Sequence, residues 1–184
     1  MAGREVLPLV EGGKGISITN GLSSGAWAST GGVGTFSAVN ADSFDSDGNI
    51  LKQVYHGRTR RERHEELVRY AIDGGVAQAK IAYENAKGGV LNVNVLWEMG
   101  AAERVLRGVL EGAKGLIDGV TCGAGMPYRI AEISARYGVY YYPIISSARV
   151  FRSLCTRAYL KFPECFCRVF YGYPYYACSH YCSS

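Results

Sequence analysis

Four loops and one tail hold the residues whose types and spacing could do chemistry. Gly12-Gly13-Lys14-Gly15 follows the apolar run Val6 to Val10. Asn92 and Asn94 lie late in the run Val90 to Leu96, which ends at Trp97-Glu98. Thr121-Cys122-Gly123-Ala124-Gly125-Met126-Pro127 follows Leu116 to Val120, and Ser146-Ser147 follows Val139 to Ile145. Glycines at strand ends let the backbone approach a flat or anionic ligand and offer it N–H donors. An asparagine late on a strand can bond the polar edge of a ring. Taken singly, each loop is explained as well by a tight turn, with Asn94 as a helix cap; together at one rim they favour a cofactor site.

The tail offers different chemistry. Cys165-x-Cys167 and Cys178-x-His180-x-Cys182 supply thiolates and an imidazole of the kind that bind zinc. Their one-residue spacing is poor, because structural zinc sites separate the first pair by about two to four residues. Disulfides are the second reading and aromatic core or interface packing the third. Only Cys122 of the six cysteines lies before Cys155, so the bulk of the chain reads as cytosolic and reduced. Other signatures are missing: GGKG and GGVGT do not extend into a P-loop, and Tyr128 stands where a dinucleotide fingerprint has its third glycine. Asp45 and Asp47 sit in a loop better read as a turn than as a calcium site, since Gly48 is at the wrong offset. His56 and His64 read as surface residues.

The elements that must position these loops alternate. Strands are expected at Val6 to Val10, Val33 to Ser37, Val90 to Leu96, Leu116 to Val120 and Val139 to Ile145, with a sixth near Arg168 to Tyr171. Helices are expected from Asn20 to Thr30, from Arg60 to Lys87, over Ala102 to Ala113, after Pro127, and from a Ser146 or Ser147 cap through Tyr159. The helix from Arg60 should bury Val68, Ile72, Val76, Ala79 and Tyr83; the next should bury Ala102, Val105, Leu106, Val109, Leu110 and Ala113. Alternation of this kind gives an α/β fold of parallel βαβ units. An open doubly wound sheet and a (β/α)8 barrel both satisfy it. A barrel typically takes ~250 residues, so the 184 residues are expected to form its N-terminal five to six units, incomplete, as one domain over 1–184 with an atypical tail from about 153.

Composition excludes some functions. Hydrophobic residues make up 48% and charged residues 20%, a globular balance, and the net charge is only +4. Arg58, Arg60, Arg61 and Arg63 are interleaved with Glu62, Glu65 and Glu66, which reads as a solvated helix start rather than a nucleic-acid face. No apolar run reaches the ~20 residues of a membrane span, and MAGREVLPLV lacks a signal-peptide core. A cytoplasmic location is expected.

The segments LPLVEGGKG, GGVGTFSAVNADS, QVYHGRTRRERHEELVRYAI, NVNVLWEMG, GVTCGAGMPY and PIISSARVFR, spread over roughly residues 7 to 152, resemble the nitronate monooxygenases, formerly 2-nitropropane dioxygenases. That family consists of FMN-dependent TIM barrels. The resemblance implies FMN as cofactor, a nitronate or nitroalkane and O2 as substrates, and a carbonyl compound and nitrite as products. It places Gly12, Gly13 and Lys14 against the flavin, Asn94 on the isoalloxazine, and Gly123 and Gly125 in a second flavin loop. The family's catalytic histidine lies in a motif A-G-G-H-x-G, and Ala177-Cys178-Ser179-His180-Tyr181-Cys182 matches it in register. His180 then falls on the base, with Cys178, Ser179 and Cys182 in place of the three glycines. Each replacement is one codon change away, so the tail reads as an eroded or misread copy of the catalytic loop. Bulky Tyr181 and the lost glycines imply weak or no flavin retention by this chain alone. A flavin-dependent enoyl reductase has the same fold and loops and is the alternative enzyme. An inactive half-barrel, a homo-oligomer through its exposed edge strands, is the non-enzyme alternative.

Overall fold

The computed structural model describes residues 1–15, 18–123 and 128–165. Among them, four strands alternate with five α-helices: α1 Gly21–Ser29, β1 Val33–Ser37, α2 Arg60–Ala86, β2 Val90–Leu96, α3 Ala102–Gly112, β3 Gly119–Gly123, α4 Tyr128–Tyr137, β4 Tyr140–Pro143 and α5 Ala148–Leu154. Side chains set the helix starts. Asn20 and Thr59 form capping boxes with Ser23 and Glu62, and the Ser147 hydroxyl accepts from Val150 N. Each such cap contributes about 1 kcal/mol.

The three strand pairings of the sheet are parallel, and its order is β1-β2-β3-β4. Spatial order therefore follows chain order, and right-handed crossovers place every connecting helix on one face. A doubly wound sheet reverses its order at a switch point; among the described residues there is no reversal, and the four strands form an arc of the TIM-like kind. The expected count of five to six units is reached only in part among the described residues. Arg168 to Tyr171, the expected sixth strand, lies outside them.

Register sorts the strand residues onto two faces. Phe36, Val93, Val120 and Tyr141 form one cross-strand row, flanked by Leu91, Val95 and Cys122. All are buried and pack with Val105, Leu106, Val109 and Leu110 of α3 and Ile130 and Ile133 of α4. The expected α3 stripe is buried in full, Ala113 included. Full burial of each large side chain contributes about 1.5–3 kcal/mol, and this row is where the sheet is fastened to its helices.

Three expectations need correction. Val6 to Val10 is not a regular strand: a single bridge joins Val10 to Val33. Pro8 has no N–H to donate, and Leu9 N turns back to Leu7 O (2.7 Å). The strand expected at Leu116 to Val120 runs instead over Gly119–Gly123, because Gly115 takes φ +81° and Leu116 N closes that turn on Ala113 O. Val139 to Ile145 shortens to Tyr140–Pro143.

The α2 stripe is also partly wrong. Val68 and Ala79 are buried and Ile72 and Val76 half-buried, but Tyr83 is 51% exposed. The buried face is made of small residues, Ala71, Gly74, Gly75, Ala77, Ala82 and Ala86. Gly74 faces Ala41 and Gly75 faces Val109, while Gly25 of α1 comes to backbone contact with Ala82: a Cβ on Gly25 would lie 2.6 Å from Ala82 O. Gln78 is buried in the same seam, where its Oε1 accepts from Gly21 N at 2.6 Å. Residues 60–65 of α2 are exposed, and the first buried one is Val68. Among the described residues, no helix is long and apolar enough to cross a membrane.

Candidate functional site

The second face of the sheet is polar. Its rows are Thr35, Asn92, Gly119 and Tyr140, then Ser37, Asn94, Thr121 and Tyr142. Thr35 and Asn92 are fully buried, Ser37 is 1% exposed and Asn94 7%. Among the described residues, neither amide atom of Asn92 has a hydrogen-bond partner, nor has Thr35 Oγ1. Each such orphan costs about 1–3 kcal/mol. A fold does not carry three of them in neighbouring register positions for stability's sake.

Asn94 belongs to the same face. Its Oδ1 accepts from Thr121 Oγ1 at 3.2 Å, while its NH2 donates no hydrogen bond among the described residues. It caps no helix, because α3 starts from Ala101 in the left-handed region (φ 62°). The cap reading of Asn94 is thereby excluded, and its amide remains a buried donor at the C-terminal end of the sheet.

The first glycine loop lies on this donor. Gly13 packs so closely on Asn94 that any Cβ there would collide with Asn94 Cβ and meet Thr35 Cγ2 at 3.0 Å. Gly12 is exposed, with nothing within 4 Å of its Cβ position, so its backbone is open to an approaching group. Lys14 is exposed; its N–H donates to Thr19 Oγ1 (3.0 Å), and its carbonyl accepts from the same hydroxyl (3.3 Å). Gly123 ends β3, opposite Leu96 in register and next to Ile144. The structure thus brings Gly12, Gly13, Lys14 and Asn94 together and puts Gly123 on the adjoining strand end. Gly125 and His180 lie outside the described residues.

This donor set fits the edge of an FMN ring: a buried amide NH2, an open glycine backbone and an exposed ammonium. Two participants, Glu11 and Thr35, were not singled out by sequence reasoning, and Thr121 was named only as the start of its loop. Glu11 Oε2 accepts from Thr35 N at 2.8 Å. The available signals were a carboxylate directly before a glycine pair and polar residues at alternate positions of otherwise apolar strands.

The remaining candidates fall elsewhere. Cys122 is on the apolar face, and burial pushes its thiol up to about 12; burial does the same to Cys165. Both are protonated at neutral pH and neither is poised as a thiolate. Cys167, Cys178 and Cys182 lie outside the described residues. Asp45 forms the expected turn, accepting from Asp47 N and Asn49 N at 2.9 and 2.8 Å. Bonds from Asn49 are the main cause holding its carboxyl below the usual range. His56 and His64 are exposed, as are Arg58, Arg60, Arg61 and Arg63. Two open hollows lie against α2, one lined by Tyr55, Arg60, Arg63, His64 and Leu67, the other by α2 and Arg104. Neither includes an inner-face residue.

No family model matches the chain, and no curated protein does. Among solved structures, the chain is similar in fold to FabK from Thermotoga maritima, with a TM-score of 0.54 and 16% sequence identity. The match covers 83% of this chain and 36% of FabK, so the chain spans about a third of that protein's length.

Proposed function

We propose that the chain belongs to an FMN-dependent oxidoreductase that oxidises alkyl nitronates or nitroalkanes with O2 to carbonyl compounds and nitrite. The observation that carries the reading is Asn94, a 7% exposed amide whose NH2 donates no hydrogen bond among the described residues, lying under a glycine loop at the C-terminal end of a TIM-like arc. Ligands of parallel α/β folds sit at that end. Bound FMN would supply the redox chemistry. Asn94 would donate to a ring heteroatom, with Thr121 holding the amide in its orientation. Gly12 would leave the backbone open to the ring, and Lys14 would place a positive charge beside it. His180 is the proposed base, and a histidine suits that role near neutral pH.

A flavin-dependent enoyl reductase built on the same loops is the second reading, and the fold shared with FabK is the observation that keeps it. The test is titration of the purified chain with FMN, followed by flavin fluorescence, with Asn94→Ala in parallel. Saturable quenching that Asn94→Ala weakens about tenfold (~1.4 kcal/mol) supports the flavin site. Quenching that never saturates, or that Asn94→Ala leaves unchanged, overturns it. Oxygen uptake with propyl nitronate, against NADPH-dependent reduction of a crotonyl thioester, then separates the two chemistries.

A further inference from the structure

The outer edge of β1 presents three backbone N–H groups in a column; the first and last donate to backbone carbonyls and the middle one to a side chain. Val33 N donates to Leu9 O at 2.9 Å, as an adjoining strand would have it. Glu11 N returns a bond to Val33 O, also 2.9 Å. Regular parallel pairing would next send Thr35 N to Glu11 O. Thr35 N goes instead to the Glu11 side chain, Oε2, at 2.8 Å. Two residues on, Ser37 N donates to Thr19 O at 2.8 Å. The chain therefore leaves the β1 edge at Glu11 and is back on it at Thr19.

We infer that Glu11 is a positioning residue, whose carboxylate takes the place of its own backbone carbonyl in the β1 ladder and so frees Gly12-Gly13 to turn over Asn94. Thr35 is fully buried, so removing the carboxylate leaves its N–H without a protein partner, and an unmade buried bond is costly. With the side chain present, the main chain can turn inward at Gly12 while the ladder stays whole. Gly13 then reaches Asn94 at a separation only glycine permits. Ser23 Oγ, in the first turn of α1, lies 3.5 Å from the other carboxylate oxygen, Oε1. Thr19 holds the far side of the turn through Lys14 N and O.

The test compares Glu11→Ala and Glu11→Gln in the full chain. Amide hydrogen exchange by NMR reads the ladder directly and needs no flavin. Thr35 should exchange at least about tenfold faster in Glu11→Ala, with Val93 and Val120 unchanged. Glu11→Gln keeps an oxygen acceptor and should restore most of the protection. FMN titration forms a second arm, which rests on the flavin reading: Glu11→Ala should weaken binding about tenfold and Glu11→Gln should recover it. Equal Thr35 exchange in wild type and Glu11→Ala overturns the inference, and so does a Gln variant no better than the Ala one. If Glu11→Ala loses protection at Val93 and Val120 as well, the Gln variant decides, by whether Thr35 stays protected. If wild type binds no FMN, the flavin reading fails alone, and the exchange arm still decides the role of Glu11.

Discussion

Leu91, Asn92, Val93, Asn94 and Val95 are successive residues of one strand, and they serve two unlike surfaces. The odd-numbered three face α3 and α4 and are at most 1% exposed, in contact with leucine, isoleucine and valine. The two asparagines face the other way and are nearly as buried; among the described residues both amide atoms of Asn92 lack partners, and the Asn94 NH2 donates no bond. Equal burial thus conceals opposite energetics. Apolar burial on the helical side stabilises the arc, whereas polar burial on the inner side costs it stability. Strain of that kind persists where a site needs it, and this contrast locates the site more sharply than the glycines do.

The comparison can be broken most directly by exchanging character across the strand. Val93→Asn should lower the unfolding free energy by about 3–5 kcal/mol, from lost apolar transfer and an unpaired amide, measured by urea denaturation. A loss under ~1 kcal/mol would mean that the two faces do not differ as described. Next in size is Gly13→Ala, where the added methyl collides with Asn94 and must lift the loop. FMN affinity should fall about tenfold or more (~1.4 kcal/mol), with urea stability nearly constant; unchanged affinity would separate the loop from the ligand. Asn92→Leu keeps the branching of the side chain and removes two orphaned atoms. It should leave stability unchanged or raise it by up to ~2 kcal/mol, and a clear loss would show that Asn92 is satisfied after all.

The effect that is smallest near neutral pH belongs to Cys122. Burial holds its thiol up to about 12 against an ordinary 9.0, so the folded state keeps a proton that the unfolded state releases. That contribution is complete below pH 9 and is lost as pH rises from about 9 to 12. Cys122→Ala should therefore flatten part of the alkaline decline in stability, and the native thiol should resist iodoacetamide at pH 8 until urea unfolds the chain. Rapid native alkylation would contradict its burial on the apolar face.

Much of this was legible in the sequence, for reasons that differ from element to element. The α3 stripe was readable because large apolar residues recur at helical spacing and nothing competes with that signal. The α2 face was not, because its close contact with α1 relies on glycine and alanine, which carry almost no hydrophobic contrast. Val6 to Val10 looked like a strand by composition, but Pro8 removes a donor and the ladder thins to one bridge. In the site, Gly13 and Asn94 were legible as residue types that ligand loops favour. Glu11 was not, because a side chain standing in for a backbone carbonyl depends on where the neighbouring strand lies. Thr121 was hidden for a similar reason: its bond to Asn94 crosses between strands 27 residues apart in the chain.

α2 has a practical consequence of another kind. At 1.5 Å per residue its 27 residues extend about 40 Å, while the seven residues of β2 extend about 23 Å. The helix outruns the sheet, and the unburied part is its arginine-rich start. Arg60, Arg61 and Arg63 are exposed cleavage sites on the first turns of the helix, and helix ends are where local opening is least costly. Brief trypsin treatment of the native protein should cut there first, leaving the α1–β1 segment and the β2–β4 segment held together through the sheet. The nicked protein then becomes a way to ask whether the loop at Gly12 and the amide at Asn94 still find one another once the peptide chain between them has been cut.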